Sequence, residues 1–193
     1  RQMCIRDSYL ACIGNGLSTT STPLPWGTIA SSNGSTFNGV MVPAGNATSS
    51  YANNMASITD GTSNTIILGE ASAQRASTIF GIASANTPIW AGSNNNIGTS
   101  NGLNRQNSYF RVAGGRQGTN AIGALYTINS TNTGGDPNTG NGLVLDWSFN
   151  SQHSGGANFL MVDGSVKFVS NSVDPTAFAA AGSKAGGESQ SIN

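Results

Sequence analysis

His153 is the only histidine in the chain. It lies in the stretch F-N-S-Q-H-S-G-G-A-N-F-L-M-V-D-G-S-V-K-F-V-S, residues 149–170, which places Asp163 and Gly164 beyond an apolar run. An imidazole and a carboxylate are the parts of an acid–base pair or a metal site. The spacing argues against a direct pair, because an extended run of five or six residues separates its ends by roughly 17–20 Å. Asp163 with Gly164 therefore reads as a turn. His153 reads as a loop residue that orients Gly155 and Gly156 through hydrogen bonds, with a ligand or switch role as the sharper alternative.

A second set of donors lies in I-T-D-G-T-S-N-T-I-I-L-G-E, residues 58–70. Asp60, Asn64 and Glu70 offer hard oxygen ligands, and calcium is the ion they would suit. Calcium wants about 6–8 oxygens, and no D-x-D-x-D-G loop is present to supply them. The plainer reading is a turn at Asp60-Gly61 in which Asp and Asn side chains bond nearby backbone N–H groups. Asp136 and Asp146 are further acidic positions with no better case. A Ser/His/Asp triad would have to use His153, Asp146 and a distant serine, and no G-x-S-x-G elbow occurs. No G-x-x-x-x-G-K-[ST] loop is present to cradle a nucleotide. Trp26, Trp90 and Tyr109 stand in polar loops, where aromatic faces could stack on a glycan. Their plainer reading is satellite core, since Trp is highly buried on average.

Several elements must position these residues. A-N-F-L-M-V (157–162) and S-V-K-F-V-S (165–170) flank Asp163-Gly164 as the arms of a hairpin. Asp-Gly between apolar runs predicts a type I′ turn, with positive φ at both central residues. In that register Met161 faces Val166 and Phe159 faces Phe168, which puts Phe159, Met161, Val166 and Phe168 on one core face. Alternation predicts a strand over 142–149 with Leu143, Leu145, Trp147 and Phe149 on one side. Further strands are expected at Thr65–Leu68 and over 37–43. D-P-T-A-F-A-A-A-G, 174–182, predicts a short helix with Asp174 as N-cap, Pro175 in the first position and Gly182 as the stop.

Composition bounds the class. The chain has 193 residues, no net charge and only 8% charged residues, with 26 glycines. Average soluble domains are about 25% charged. Polarity here comes from neutral Asn, Ser and Thr, as in loop-rich extracellular β-domains. With no basic patch to neutralise phosphates, nucleic acid is not an expected partner. No run of apolar residues is long enough to span a bilayer, and no secretory signal is visible. Cys4 and Cys12 could close a small loop in an oxidising compartment. Residues 1–8, R-Q-M-C-I-R-D-S, resemble translated adapter sequence and are set aside as non-native; residues 9–193 read as one domain.

Three separated blocks then carry a resemblance. S-Q-H-S-G-G-A-N-F-L-M-V-D-G-S-V-K-F resembles the H-x9-D-G signature of planctomycete-type prepilin-like proteins. I-T-D-G-T-S-N-T-I-I-L-G-E resembles their internal block, and F-A-A-A-G-S-K-A-G-G-E, 178–188, their ending. A weaker earlier block is Y-L-A-C-I-G-N-G, 9–16. The resemblance implies a pilin-like α+β fold, mainly antiparallel sheet with long loops and a short C-terminal helix. It implies a leader and a long apolar helix upstream, both absent from this fragment. That helix would be the sole membrane anchor, and the sheet should expose apolar groups where it would lie. The implied role is a non-catalytic pseudopilin-like subunit of a type IV pilus or type II secretion-like system. Its place would be periplasmic or extracellular, and its partners other pilin-like subunits or secretion machinery. An extracellular glycan- or calcium-binding module is the alternative. No cofactor is expected otherwise.

Overall fold

The computed structural model describes residues 9–15, 37–42, 52–72, 110–111, 113, 127–129, 148–187 and 192. The readings at residues 1–8, Trp26, Trp90, Tyr109, Asp136, Asp146 and most of the 142–149 strand lie outside these residues.

Among the described residues five strands form one sheet in the order β3-β1-β2-β4-β5. They are β1 (Tyr9–Cys12), β2 (Ile66–Glu70), β3 (Phe110–Arg111), β4 (Gly156–Met161) and β5 (Val166–Ser170). β2 pairs antiparallel with β1 and β4, and β4 with β5; the short β1–β3 pairing is parallel. Among the described residues one α-helix, α1 (Pro175–Gly182), follows, and a short 3₁₀ turn spans Met55–Ser57. The architecture is α+β, mainly antiparallel sheet with a short C-terminal helix.

β2 starts where Thr65, Ile66 and Ile67 bring β-branched side chains together. Its register against β4 shifts between Ile66 and Leu68. The bulge explains the burial pattern: Ile66 and Gly69 both face the core, while Leu68 and Glu70 share the other face. On β4, strict alternation buries Ala157, Phe159 and Met161. Phe159 stands edge-on to Phe149 at 5.1 Å and to Phe178 of α1 at 5.5 Å. These three rings, with Ile66, Ile128, Met161 and Val169, form the centre of the core.

α1 is capped as the sequence predicts. Asp174 accepts from the N–H groups of Thr176 and Ala177, each at 2.9 Å, and Pro175 takes the first position, where its missing N–H costs nothing. Gly182 departs from its predicted role. It is the last helical residue, and Ser183 caps the end with φ −90. A Cβ on Gly182 would sit 2.7 Å from that of Ala113. Close packing, not a left-handed stop, requires glycine there.

Two further expectations are corrected. The strand expected over 37–43 is not formed over its described residues, 37–42; Phe37 makes an isolated bridge and residues 39–41 bend. Cys12, whose pairing the sequence left open, is a free thiol fully buried in β1, and burial pushes it up to about 11; Cys4 lies outside the described residues.

The second correction is the hairpin register. Leu160 pairs with Val166, Phe159 with Lys167 and Asn158 with Phe168. Met161 closes a three-residue loop, receiving the Gly164 N–H at 3.0 Å and donating to Ser165 O at 2.8 Å. Only Gly164 of that loop has positive φ, 87°, as in a type I turn followed by a bulge glycine. The one-residue slip sends Val166 and Phe168 to the outside and Val169 to the core. The Phe168 ring instead lies over Gly156, where a Cβ would meet its Cζ at 2.7 Å. Phe168→Ala should therefore cost under about 1 kcal/mol, far less than a core phenylalanine. A urea titration checks this, and a loss above about 3 kcal/mol would restore the two-residue turn.

Candidate functional site

The residues singled out in sequence converge at two places, one at each end of β2. At the first, the 58–65 turn is wound by its own groups. The Asn64 N–H and Thr65 hydroxyl both donate to Gly61 O, at 3.1 and 3.0 Å. Gly61 has φ 95°, which a side chain would oppose. The turn presents the Asp60 carboxylate to the segment after α1. Oδ2 accepts from Gly186 N at 2.7 Å and Ser183 Oγ at 3.2 Å, and Oδ1 from Gly187 N at 3.0 Å. The Thr59 N–H donates to Lys184 O at 2.9 Å. Lys184 in turn donates from its amide to Asn38 O and from Nζ to Asn53 Oδ1, and Asn53 holds the carbonyls of Gly39 and Val40. Burial lowers the Lys184 ammonium below its usual range.

The hairpin tip docks on the same turn. Val162 N donates to Thr65 O at 3.0 Å and Asp163 N to Thr62 O at 3.1 Å. The Asp163 carboxylate bonds the Ser165 hydroxyl at 2.6 Å and its amide at 2.8 Å, and these bonds pull it below the usual carboxylate range. Asp163 is thus a turn-capping residue joined through its backbone to the Asp60 turn. All three motif blocks meet here, joined by backbone and side-chain hydrogen bonds.

Asp60→Ala should remove about 2 kcal/mol of stability. Three hydrogen bonds to a charged acceptor are lost, but the exposed Gly186 and Gly187 amides turn to water and the buried Ser183 hydroxyl keeps its bond to Ala180 O. The Gly186 and Gly187 amides should lose protection in hydrogen exchange. Asp60→Asn, which keeps one acceptor, should fall between the variant and the parent.

The second place centres on Glu70. Its carboxylate, 7% exposed, receives the Asn158 N–H at 2.8 Å, the Asn158 amide at 3.4 Å and the Tyr9 hydroxyl at 3.4 Å. His153 Nε2 lies 3.4 Å from Oε1. Burial pushes the Glu70 carboxyl up, but the bonds from Asn158 and Ser151 and the nearby His153 outweigh it and hold it below the ordinary range. Burial, then Glu70 itself, raises the Tyr9 phenol.

His153 therefore pairs with Glu70, not with Asp163. Sequence reasoning placed these two in separate motif blocks without joining them. The parity of the strands could have done so: Asn158 lies across from Glu70, and His153 enters the same face from the loop before β4.

The suggested calcium set is not assembled. Asp60 lies in the turn before β2 and Glu70 at its far end, and both Asp60 oxygens are occupied by the C-terminal segment. Among the described residues no group of three acidic, histidine or cysteine side chains comes together. The imidazole meets a carboxylate that the Tyr9 and Ser151 hydroxyls also bond. Gly155 has φ 95° and open space around it. Gly156 is buried, with Val169 O only 2.2 Å from where its Cβ would sit.

Acid should expose the role of Glu70. Its folded-state value is depressed, so its contribution is fully present above the ordinary glutamate value of about 4.3 and is lost as pH falls through the folded value. Glu70→Gln should be less stable than the parent at pH 7 and decline less steeply below about pH 4.3 in a pH series of thermal melts.

A family model described as "Protein of unknown function (DUF1559)" matches residues 12–176. Neither a curated protein nor a solved structure matches the chain. Among the described residues no helix is long and apolar enough to cross a membrane.

Proposed function

The chain belongs to the DUF1559 family, a family of unknown function, and we propose that it serves as a pilin-like, non-catalytic structural subunit. In this reading it is a pseudopilin-like component of a type IV pilus or type II secretion-like machine. It would work in the periplasm or at the cell surface, anchored by an apolar helix encoded upstream.

One observation carries the reading. An antiparallel sheet with one face in water normally alternates apolar inward with polar outward. Here the outward face also carries apolar side chains, set around a polar centre of Glu70, Asn158 and His153. The core face holds Phe159, Met161 and Val169, while the outward face carries Tyr9, Leu68, Leu160, Val166 and Phe168. Of these, Tyr9, Val166 and Phe168 are 50%, 67% and 55% exposed. Large exposed apolar residues gathered on one face mark an interaction surface, and a long apolar helix is the partner that the motif resemblance implies. The polar residues of the signature are meanwhile engaged in holding turns together, which suits architecture more than catalysis.

The genomic reading frame upstream of Tyr9 tests the proposal. A short basic leader ending in Gly, followed by an F-T-L-I-E-like start and an apolar helix, supports it. An ordinary cleavable signal peptide, or a true start near Met3, overturns it.

A further inference from the structure

We propose that a second copy of the chain extends the sheet at β5: two β5 strands pair antiparallel, edge to edge, about a two-fold axis at Phe168.

β5 is the outer strand on one side of the sheet. The hydrogen bonds at the two ends of its ladder with β4 show which backbone groups are free. Met161 N donates to Ser165 O at 2.8 Å at one end, and Asn171 N to Gly155 O at 2.8 Å at the other. Bonded and non-bonded pairs alternate along an antiparallel ladder, so Phe159–Lys167 and Ala157–Val169 are the bonded pairs between them. Asn158, opposite Phe168, agrees: its N–H turns away from β5 to Glu70 Oε2, at 2.8 Å. Val166, Phe168 and Ser170 therefore aim their backbone N–H and C=O groups off the sheet. Among the described residues one partner reaches these groups, Val173 N on Ser170 O at 3.0 Å. All three residues are exposed.

Folded domains ordinarily blunt such an edge with proline, a bulge or charge. β5 has no proline, and its ladder with β4 runs without a register shift. A row of unpaired donors and acceptors takes an extended strand, and a second β5 matches it. With the two-fold at Phe168, the N–H and C=O of Phe168 meet those of its own copy, and those of Val166 meet those of Ser170. The alternation allows the register to move only in steps that keep these groups facing. A two-fold at Lys167 would set two ammonium groups directly opposite, which is destabilising. A two-fold at Val169 would carry Val166 past the end of the strand. In the Phe168 register Lys167, the single charge on β5, lies opposite Val169, and the two Phe168 rings become cross-strand neighbours. One patch serves both subunits, so the pairing closes as a dimer. The two outward faces become continuous and stay open to a helix, and the pairing does not depend on the pilin-like reading.

The test is amide hydrogen exchange on the 193-residue chain. A short ladder makes a weak dimer, so exchange is compared at about 1 mM and about 50 µM protein. The Val166, Phe168 and Ser170 amides should exchange several-fold more slowly at the higher concentration. The Lys167 and Val169 amides, already bonded to β4, should not change. Phe168→Thr and Phe168→Pro both remove the ring, but only proline removes the outward N–H, and an edge position tolerates it. Sedimentation should find the threonine variant associating and the proline variant monomeric. If the proline variant does not fold, disulfide trapping in a Cys4→Ser background decides. Phe168→Cys should crosslink to its own copy, since bonded antiparallel partners lie about 5.5 Å apart at Cα, and Val166→Cys should not. Exchange that ignores concentration, equal association of the threonine and proline variants, or equal crosslinking from positions 166 and 168 overturns the edge-paired dimer.

Discussion

Phe159→Ala should remove about 4 kcal/mol of stability, the scale of deleting a fully buried phenylalanine. The side chain is inaccessible to solvent. It contacts rings from two other parts of the chain, Phe149 at 5.1 Å and Phe178 at 5.5 Å, both edge-to-face. Such pairs add about 0.5–1.5 kcal/mol beyond burial. The cavity would open where β4, the 148–150 segment and α1 meet, so no single element can collapse to fill it. Against a total of about 5–15 kcal/mol for a domain, the loss is a large share. Urea unfolding should show a lowered midpoint with an unchanged slope. A loss under about 1.5 kcal/mol would mean that the core is centred elsewhere.

Gly69→Ala should cost about 3 kcal/mol, although it adds one methyl group to a strand. A Cβ there would sit 2.5 Å from the Phe159 ring and 2.7 Å from the Phe149 ring. Both rings are fully buried and flanked by other core groups. Neither can swing into solvent, so the strain falls on backbone and rotamers, at the upper end of overpacking costs. The two predictions are linked. In a Phe159→Ala background the methyl group gains room, and Gly69→Ala should cost at least about 1 kcal/mol less than it does alone. Additive losses would contradict the placement of Gly69 under those rings. This contact also accounts for the glycine in the I-I-L-G-E block.

The local elements were legible wherever one short stretch contained the whole reason for them. Asp174-Pro175 announces α1 because the cap and the first turn are adjacent in sequence. The hairpin arms were legible from two apolar runs around Asp-Gly. Its register was not, because V-K-F-V-S offers two alternations and the turn chemistry admits both a two- and a three-residue loop. Choosing Val166 and Phe168 as core assumed that only one face of the sheet is apolar, and this sheet has apolar residues on both. β1 escaped notice because Tyr9–Cys12 is short and its partner, β2, is distant in the chain.

The site was legible as a set of residues and not as a set of contacts. Asp60, Gly61, Asp163 and Gly164 could be read as turn formers. That Asp60 holds the amides of Gly186 and Gly187 could not, since a carboxylate in a polar turn fits calcium or a cap equally well until the C-terminal segment is placed beside it. The same holds for Glu70. It looked like a ligand in line with Asp60 and Asn64, and the length of β2 carries it to the other end of the sheet, beside His153.

The central claim is that the outward face is a docking surface while the motif residues build the frame behind it. Site-specific photo-crosslinking tests this most directly. A photoreactive residue replaces Phe168 in the protein expressed in cells from its complete reading frame, with a control at exposed Asn54. The account predicts strong crosslinks from position 168 to an apolar helix of the same or a neighbouring pilin-like subunit, and few from position 54. Equal, weak labelling from both positions would contradict it.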